Sequence, residues 1–161
     1  MTVTPEGALG LTEPLMLTSA TTTRNVFGRV TWASSTWIAT WSETEDYSSG
    51  DVYVQHVSGD GTPLGSSVVV NETAGTALLS SPVWTGSTLF LVWGDFLYGQ
   101  LHARVLDEAL APLTAESQVT DSTGQVMFPE ATWSGGEVDV VWQDARYGTP
   151  RAYMNTIGFC D

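Results

Sequence analysis

The chain has 161 residues, 42% of them hydrophobic, which suits one domain with a buried core rather than a disordered segment. Its net charge is −13, and all five basic residues are Arg, so it lacks the Lys and Arg excess that phosphate backbones and anionic membrane surfaces demand. That acidity reads as a solubility coat for a salty or exterior setting. Cys160 is the one cysteine, which excludes an internal disulfide and a thiolate metal cluster and leaves an intermolecular disulfide as its sharper role. No apolar run reaches membrane-spanning length. The start, MTVTPEGALG, shows no signal peptide, so an exported protein would have lost its signal or had it replaced by Met1.

Taken in chain order, the predicted elements are short strands. PLMLT (14–18) comes first. RVTW (29–32), WIATW (37–41) and DVYVQHV (51–57) follow. SVVVN (67–71), SPVW (81–84), LFLVW (89–93) and QLHARV (100–105) come next, and ESQVT (116–120), EATW (130–133), VDVVW (138–142) and RAYMNTI (151–157) complete the set. Polar turns with Gly, Asn, Asp or Ser separate them at hairpin spacing. The stretch DEALAPLTAES (107–117) has helix-favouring Ala, Leu and Glu, but Pro112 sits inside it, so it is read as a loop.

The same phrase recurs: IATWSETEDYSSG, LVWGDFLYG, VVWQDARYG. Trp32, Trp84 and Trp133 are 52 and 49 residues apart, and Trp41, Trp93 and Trp142 repeat that spacing. Four-stranded units of about 40–50 residues with Trp at fixed positions are the signature of propeller blades. A blade has two apolar faces and can cover both only by stacking radially, with large aromatics filling the wedges. The expectation is therefore an all-β propeller of three four-stranded antiparallel blades in a single domain, with repeats over about 7–60, 61–109 and 110–161. Those six Trp residues form its expected core. Three blades do not close a ring, and PLMLT is a strand offset from its blade. Two chains exchanging that strand would give a six-bladed homodimer without open edges. A fragment of a longer propeller is the other reading.

Each phrase ends in a turn with an acid two residues after the Trp (Glu43, Asp95, Asp144), a Tyr (Tyr47, Tyr98, Tyr147) and a Gly (Gly50, Gly99, Gly148). The acid can cap the turn's amides, and the Gly supplies positive φ. With Arg146, these acids and tyrosines are the candidate ligand site, since an aromatic face beside a carboxylate suits a sugar ring. The competing role for each Tyr is packing over its own hairpin. Trp37, where the other units have Leu89 and Val138, is read as core before ligand platform. Arg29, Ser81 and Glu130 share one register position on the strand nearest a propeller's axis, as a polar cluster or simply a solvated channel lining.

WQDARYGTPRAY and GDGTPLG together resemble the bacterial propeller repeat written W-x-D-x-R-x-G, an apolar-Tyr pair, then D-G-x-x-L-G. Unit three matches best, with Trp142, Asp144, Arg146, Gly148 and Tyr153. Unit two has Leu97 for the Arg and His102 for the Tyr, and unit one has Glu43 for the Asp. The resemblance implies a β-propeller in an exported or surface-associated bacterial protein, and it implies no particular activity.

His56 and His102 lack metal-binding spacing, and no nucleophile elbow or phosphate loop occurs. No metal, cofactor or catalytic residue is therefore expected. A pair of glycosidase carboxylates is conceivable, but no two acids stand out. The sequence alone favours a non-catalytic, lectin-like or protein-binding module, outside the cell or on its surface, that neither binds nucleic acid nor inserts in a membrane. A structural or assembly propeller is the alternative, and an enzyme ranks third.

Overall fold

A strand of a propeller blade is covered on both sides, so its alternate residues must all be apolar or satisfied. The chain folds accordingly. The computed structural model describes residues 2–3, 9–10, 14–18, 23–73 and 77–158. A short ladder pairs β1 (Thr2–Val3) with β2 (Leu9–Gly10). The first blade is β3 (Arg24–Ala33), β4 (Thr36–Thr44), β5 (Gly50–Val57) and β6 (Pro63–Val69), in that spatial order. The second is β7 (Ala77–Trp84), β8 (Leu89–Asp95), β9 (Gln100–Leu106) and the two-residue β10 (Ser117–Gln118). The third is β11 (Val126–Trp133), β12 (Glu137–Asp144) and β13 (Arg151–Gly158). All pairings are antiparallel, and the described residues contain no helix.

The structure is thus an all-β partial propeller of three sheets. Two details depart from the expectation of three four-stranded blades. The third sheet has three strands among the described residues. PLMLT forms no strand and instead turns onto the outer face of the first blade, where Leu17 packs on Ala39, Trp41 and Val57. The stretch 107–117 is a loop up to the start of β10, and Pro112 bridges to Leu106.

Two apolar layers join the blades. Between the first and second, Ile38, Val52, Val54 and Val70 meet Leu89, Leu91 and Trp93. Between the second and third, Phe90, Val92, Leu101 and Ala103 meet Val138, Val140 and Trp142. The second and third blades therefore aim Trp93 and Trp142 at the blade before them, and Trp41 packs with Leu17 on the corresponding face of the first. Cross-strand partners repeat as well: Trp41 stacks on Tyr53 at 5.9 Å and Trp142 on Tyr153 at 6.3 Å, while Trp93 faces His102 at 6.5 Å with a 32° tilt. Trp84 and Trp133 are half-buried in the two layers. Trp32, expected in the core, is 46% exposed, because among the described residues no blade packs on that face of the first sheet. It makes an edge contact with Trp37 at 4.8 Å, and Trp37 is itself 37% exposed.

The first strand of every blade carries the same irregularity. The ladder slips between Val26 and Arg29, between Leu78 and Ser81, and between Met127 and Glu130. Inside each slip a bulky residue is left-handed: Phe27 at φ 57°, Leu79 at 60° and Phe128 at 55°. A non-Gly residue there costs about 1–2 kcal/mol, and a bulge bends the strand and re-aims the side chains that follow. Arg29, Ser81 and Glu130 are the residues that follow.

Candidate functional site

The three bulges bring one residue from each blade to a common point. The guanidinium of Arg29 donates to Oε1 of Glu130 from Nη2 at 3.0 Å and from Nε at 3.2 Å. Ser81 Oγ donates to Oε2 of Glu130 at 3.3 Å and accepts from the Ala131 amide at 3.0 Å. The register position picked out in the sequence is thus a bonded cluster spanning all three sheets. Ser81 is buried, whereas the Arg29 and Glu130 side chains are 45% and 60% exposed. An ion pair this exposed adds little to stability. Its Glu is held at both oxygens and still open to solvent, which is the condition for meeting a ligand. Below it, a buried Ser80–Thr40 hydroxyl contact of 2.9 Å ties the first two blades.

Beside Arg29 lies a groove of about 690 Å³ on the outer face of the first blade, lined among others by Asn25, Thr40, Trp37 and Trp41. Trp37, expected in the core before a ligand platform, lines this groove. The Asn25 Oδ1 and Trp41 Nε1 atoms are buried there without a protein hydrogen-bond partner.

The turn residues divide by role. Asp144 is fully buried and accepts from the Arg146 amide at 2.8 Å, from Arg146 Nε at 2.9 Å and also Nη2, and from Ser122 Oγ at 2.8 Å. The Arg146 side chain, then Ser122 and the Arg146 amide, hold its carboxyl down at about 2 against the opposing effect of burial. The Arg146 guanidinium also lies 4.6 Å over the ring of Tyr153. Asp95 is buried and accepts from the Leu97 and Tyr98 amides at 2.8 and 3.1 Å. Both carboxylates therefore cap their own turns and are not presented to a ligand. Glu43 does neither: it accepts from Thr23 Oγ1 at 2.5 Å, while Thr44 Oγ1 takes the Tyr47 amide at 3.0 Å. The longer first turn divides the capping between Thr44 and Asp46, whose Oδ1 accepts from the Ser48 and Ser49 amides at 2.9 and 3.1 Å.

The glycines need the same correction. Gly99 and Gly148 are left-handed, at φ 66° and 82°, but the third left-handed turn residue is Tyr47, at 65°. Gly50 opens β5, where a Cβ would sit 2.7 Å from the Glu43 carbonyl oxygen and 2.8 Å from Leu78 Cδ2. Close approach, not φ, requires glycine there.

The three turn tyrosines are exposed: Tyr47 by 48%, Tyr98 by 65% and Tyr147 by 72%. Arg24 stands 5.2 Å from the Tyr47 ring and Arg151 stands 5.9 Å from that of Tyr147. Their turns neighbour the start of each blade's first strand, since Arg24 pairs with Thr44, Ala77 with Asp95 and Val126 with Asp144. The tyrosines therefore stand, one per blade, at the end where the axial strands begin.

A second acidic cluster escaped the sequence reading. His102 Nδ1 lies 2.7 Å from Glu116 Oε1, and Nε2 lies 3.8 Å from Asp95 Oδ2. Glu116 also accepts from the Glu72 amide at 2.6 Å, so the group pins the link between the first two blades. His56 bonds Thr36 and the Glu108 carbonyl oxygen. Among the described residues no cluster of three or more His, Cys, Asp or Glu is arranged for a metal ion, and no helix is long and apolar enough to cross a membrane. Cys160 lies outside the described residues.

No protein-family profile and no curated protein matches this chain. Solved structures do match its fold. A thermostable family-43 glycoside hydrolase aligns with a TM-score of 0.58 at 12% identity, over 85% of this chain and 55% of the other. An α-L-arabinofuranosidase from Lactobacillus brevis aligns at 0.53 and 11% identity, over 85% and 53%. A family-43 endo-arabinanase from Bacillus licheniformis aligns at 0.57 and 10% identity, over 82% and 50%. The chain spans about half the length of each. At such identities the likeness establishes the fold. It also corrects the expectations of a non-catalytic binding or structural module and of a chain that is not an enzyme. The structures named above are a glycoside hydrolase, an arabinofuranosidase and an endo-arabinanase.

Proposed function

We propose that the chain belongs to a carbohydrate-active hydrolase of the propeller type, acting on glycosidic bonds of arabinose-containing saccharides. The observation that carries the reading is Glu130: an exposed carboxylate near the axis, held at one oxygen by Arg29 and at the other by Ser81, on a strand bent to aim it. The arabinofuranosidase and endo-arabinanase that share the fold suggest the substrate class.

Glycoside hydrolysis commonly takes two carboxyl groups flanking the scissile bond, about 5–5.5 Å apart for retention and about 6.5–9.5 Å for inversion. In this reading Glu130 is one of the pair. Arg29 fixes the rotamer of Glu130, which matters because misplacing a reacting group by about 1 Å can cost about a hundredfold in rate. Tyr47, Tyr98 and Tyr147 offer ring faces to sugar CH groups at the mouth. Turn aromatics thus keep the binding role read from the sequence, within an enzyme. The strong acidity, with no Lys, fits the exported bacterial setting that the repeat implies, and that localisation is part of the proposal.

The test is hydrolysis of an aryl α-L-arabinofuranoside and of linear arabinan. Glu130→Gln should lower kcat about a hundredfold with the fold intact by circular dichroism, as expected for loss of a positioned acid–base group. Tyr147→Ala should raise KM several-fold with kcat nearly unchanged, since it removes uniform binding. Wild-type protein inert on both substrates, or Glu130→Gln as active as wild type, would overturn the reading.

A further inference from the structure

The two ends of the arc are complementary halves of one blade junction. The first blade leads with Val30, Trp32 and Trp37, exposed by 59%, 46% and 37%. Trp84 and Trp133, at the repeat position of Trp32, lie in the two blade–blade layers. The third blade trails with Val141 and Met154, exposed by 42% and 62%. Their counterparts Val92 and Ala103 in the second blade, and Thr40 and Val54 in the first, are buried against the next blade. So, among the described residues, the chain carries both a Trp-bearing face that lacks a seat and a seat that lacks a Trp-bearing face.

The outer edge of the third blade repeats the pattern. In the first blade the outer strand starts with Pro63 opposite Val57 and Leu64 opposite His56. In the second, Pro112 sits opposite Leu106, and the Leu113 amide donates to the Val105 carbonyl oxygen. The third blade offers the same place along β13, at Ile157 and Thr156, and no outer strand occupies it among the described residues. A third Pro-Leu pair exists. Pro14–Leu15 precedes Pro63–Leu64 by 49 residues, the interval that separates the latter from Pro112–Leu113.

We infer that two copies of this chain close a ring head to tail, each lending Pro14–Thr18 to the β13 edge of the other, with Pro14 opposite Ile157 and Leu15 opposite Thr156 of the second copy. The segment that must move is the one that now lies on the leading face, with Leu17 on Trp41. Its departure uncovers the surface that the second copy's third blade then covers. Each edge is paired and each open face is seated, and a two-fold ring leaves no contact to propagate. If Glu130 acts as proposed above, closure also places a second Glu130 around the same axis, but the ring stands on the faces and edges alone.

The experiment reads association and register separately from activity. Sedimentation velocity should show a two-chain species at micromolar concentration. Met154→Glu, on an exposed position that leaves the monomer fold alone, should weaken association at least tenfold. In a Cys160→Ser background, chains carrying Leu15→Cys mixed with chains carrying Thr156→Cys should give a disulfide-linked pair under mild oxidation, because facing strand residues come within bridging distance. A monomer persisting to about a hundred micromolar would overturn the proposal, and so would a dimer that Met154→Glu leaves intact or one that forms no Leu15–Thr156 link. A closed dimer without hydrolase activity would leave the ring standing and sink only the catalytic reading.

Discussion

Trp93→Ala should unfold most of the protein's margin of stability. Trp93 is 1% exposed and lies in the layer between the first two blades, against Ile38, Val52 and Val54. Its ring also faces His102 across the strand pair. Truncating a buried Trp removes its transfer free energy and leaves a cavity, together costing about 3–5 kcal/mol. Domains of this size are stable by about 5–15 kcal/mol, so between about a fifth and the whole of that total is at stake. The cavity cannot collapse easily, because the two sheets around it are each tied by their own ladders. Urea denaturation should show the midpoint falling with the slope unchanged. Tyr98→Ala, at a turn position 65% exposed, should stay within about 0.5 kcal/mol of wild type. Equal losses in the two variants would mean that the indole is not the wedge that holds neighbouring blades.

The contrast shows which parts of the fold were legible. Apolar content on both faces of WIATW, LFLVW and VDVVW announced strands covered twice, and the Trp spacing announced that the cover is another blade. The shared register of Arg29, Ser81 and Glu130 was legible for the same reason, since a repeat that holds across whole units puts equivalent residues in equivalent places. What joins them was not. The left-handed residue of each bulge is Phe27, Leu79 or Phe128, types that carry no turn signal, so an uninterrupted strand was the natural reading. Three identical bulges are imposed by how the first strands crowd the axis, a tertiary demand that overrides local preference.

The turn acids were legible as caps and less so as ligand groups. A carboxylate two residues after Trp satisfies amides in the second and third turns, and once buried for that purpose it has nothing left to offer a sugar. In the first turn the added length moved the task to Thr44 and Asp46, a change that spacing alone could not locate. The His102–Glu116 contact was hidden for another reason. It depends on a loop folding across a strand pair, and His102 stands where the other units have Tyr, so its place signalled a ring partner for Trp93 and not a contact with an acid. PLMLT, expected as a strand from its register, forms none, because Leu17 instead covers Ala39, Trp41 and Val57 on the first blade.

Asp144→Ala should cost about 3 kcal/mol at neutral pH, the range expected when a buried carboxylate that accepts charge-assisted and amide hydrogen bonds is removed. The Arg146 guanidinium, the Arg146 amide and the Ser122 hydroxyl all lose their acceptor at once. For a chain of this length that is a fall of roughly 6–12 °C in Tm. The effect must depend on pH, and its sign follows from the direction of the shift. Asp144 is held at about 2, chiefly by the Arg146 side chain, below its value in the unfolded chain. The folded state therefore binds the proton less readily than the unfolded one. Its contribution is fully present above the unfolded pKa of about 4 and is lost as pH falls from there through about 2. Wild type minus Asp144→Ala should be largest near pH 6–7 and shrink steadily between pH 4 and 2, when both are followed by thermal denaturation. Arg146→Ala should reproduce much of the loss at neutral pH, because it leaves the same carboxylate buried with its strongest partner gone. A gap between wild type and Asp144→Ala that stays constant down to pH 2 would show that the residue acts through its shape and not its charge.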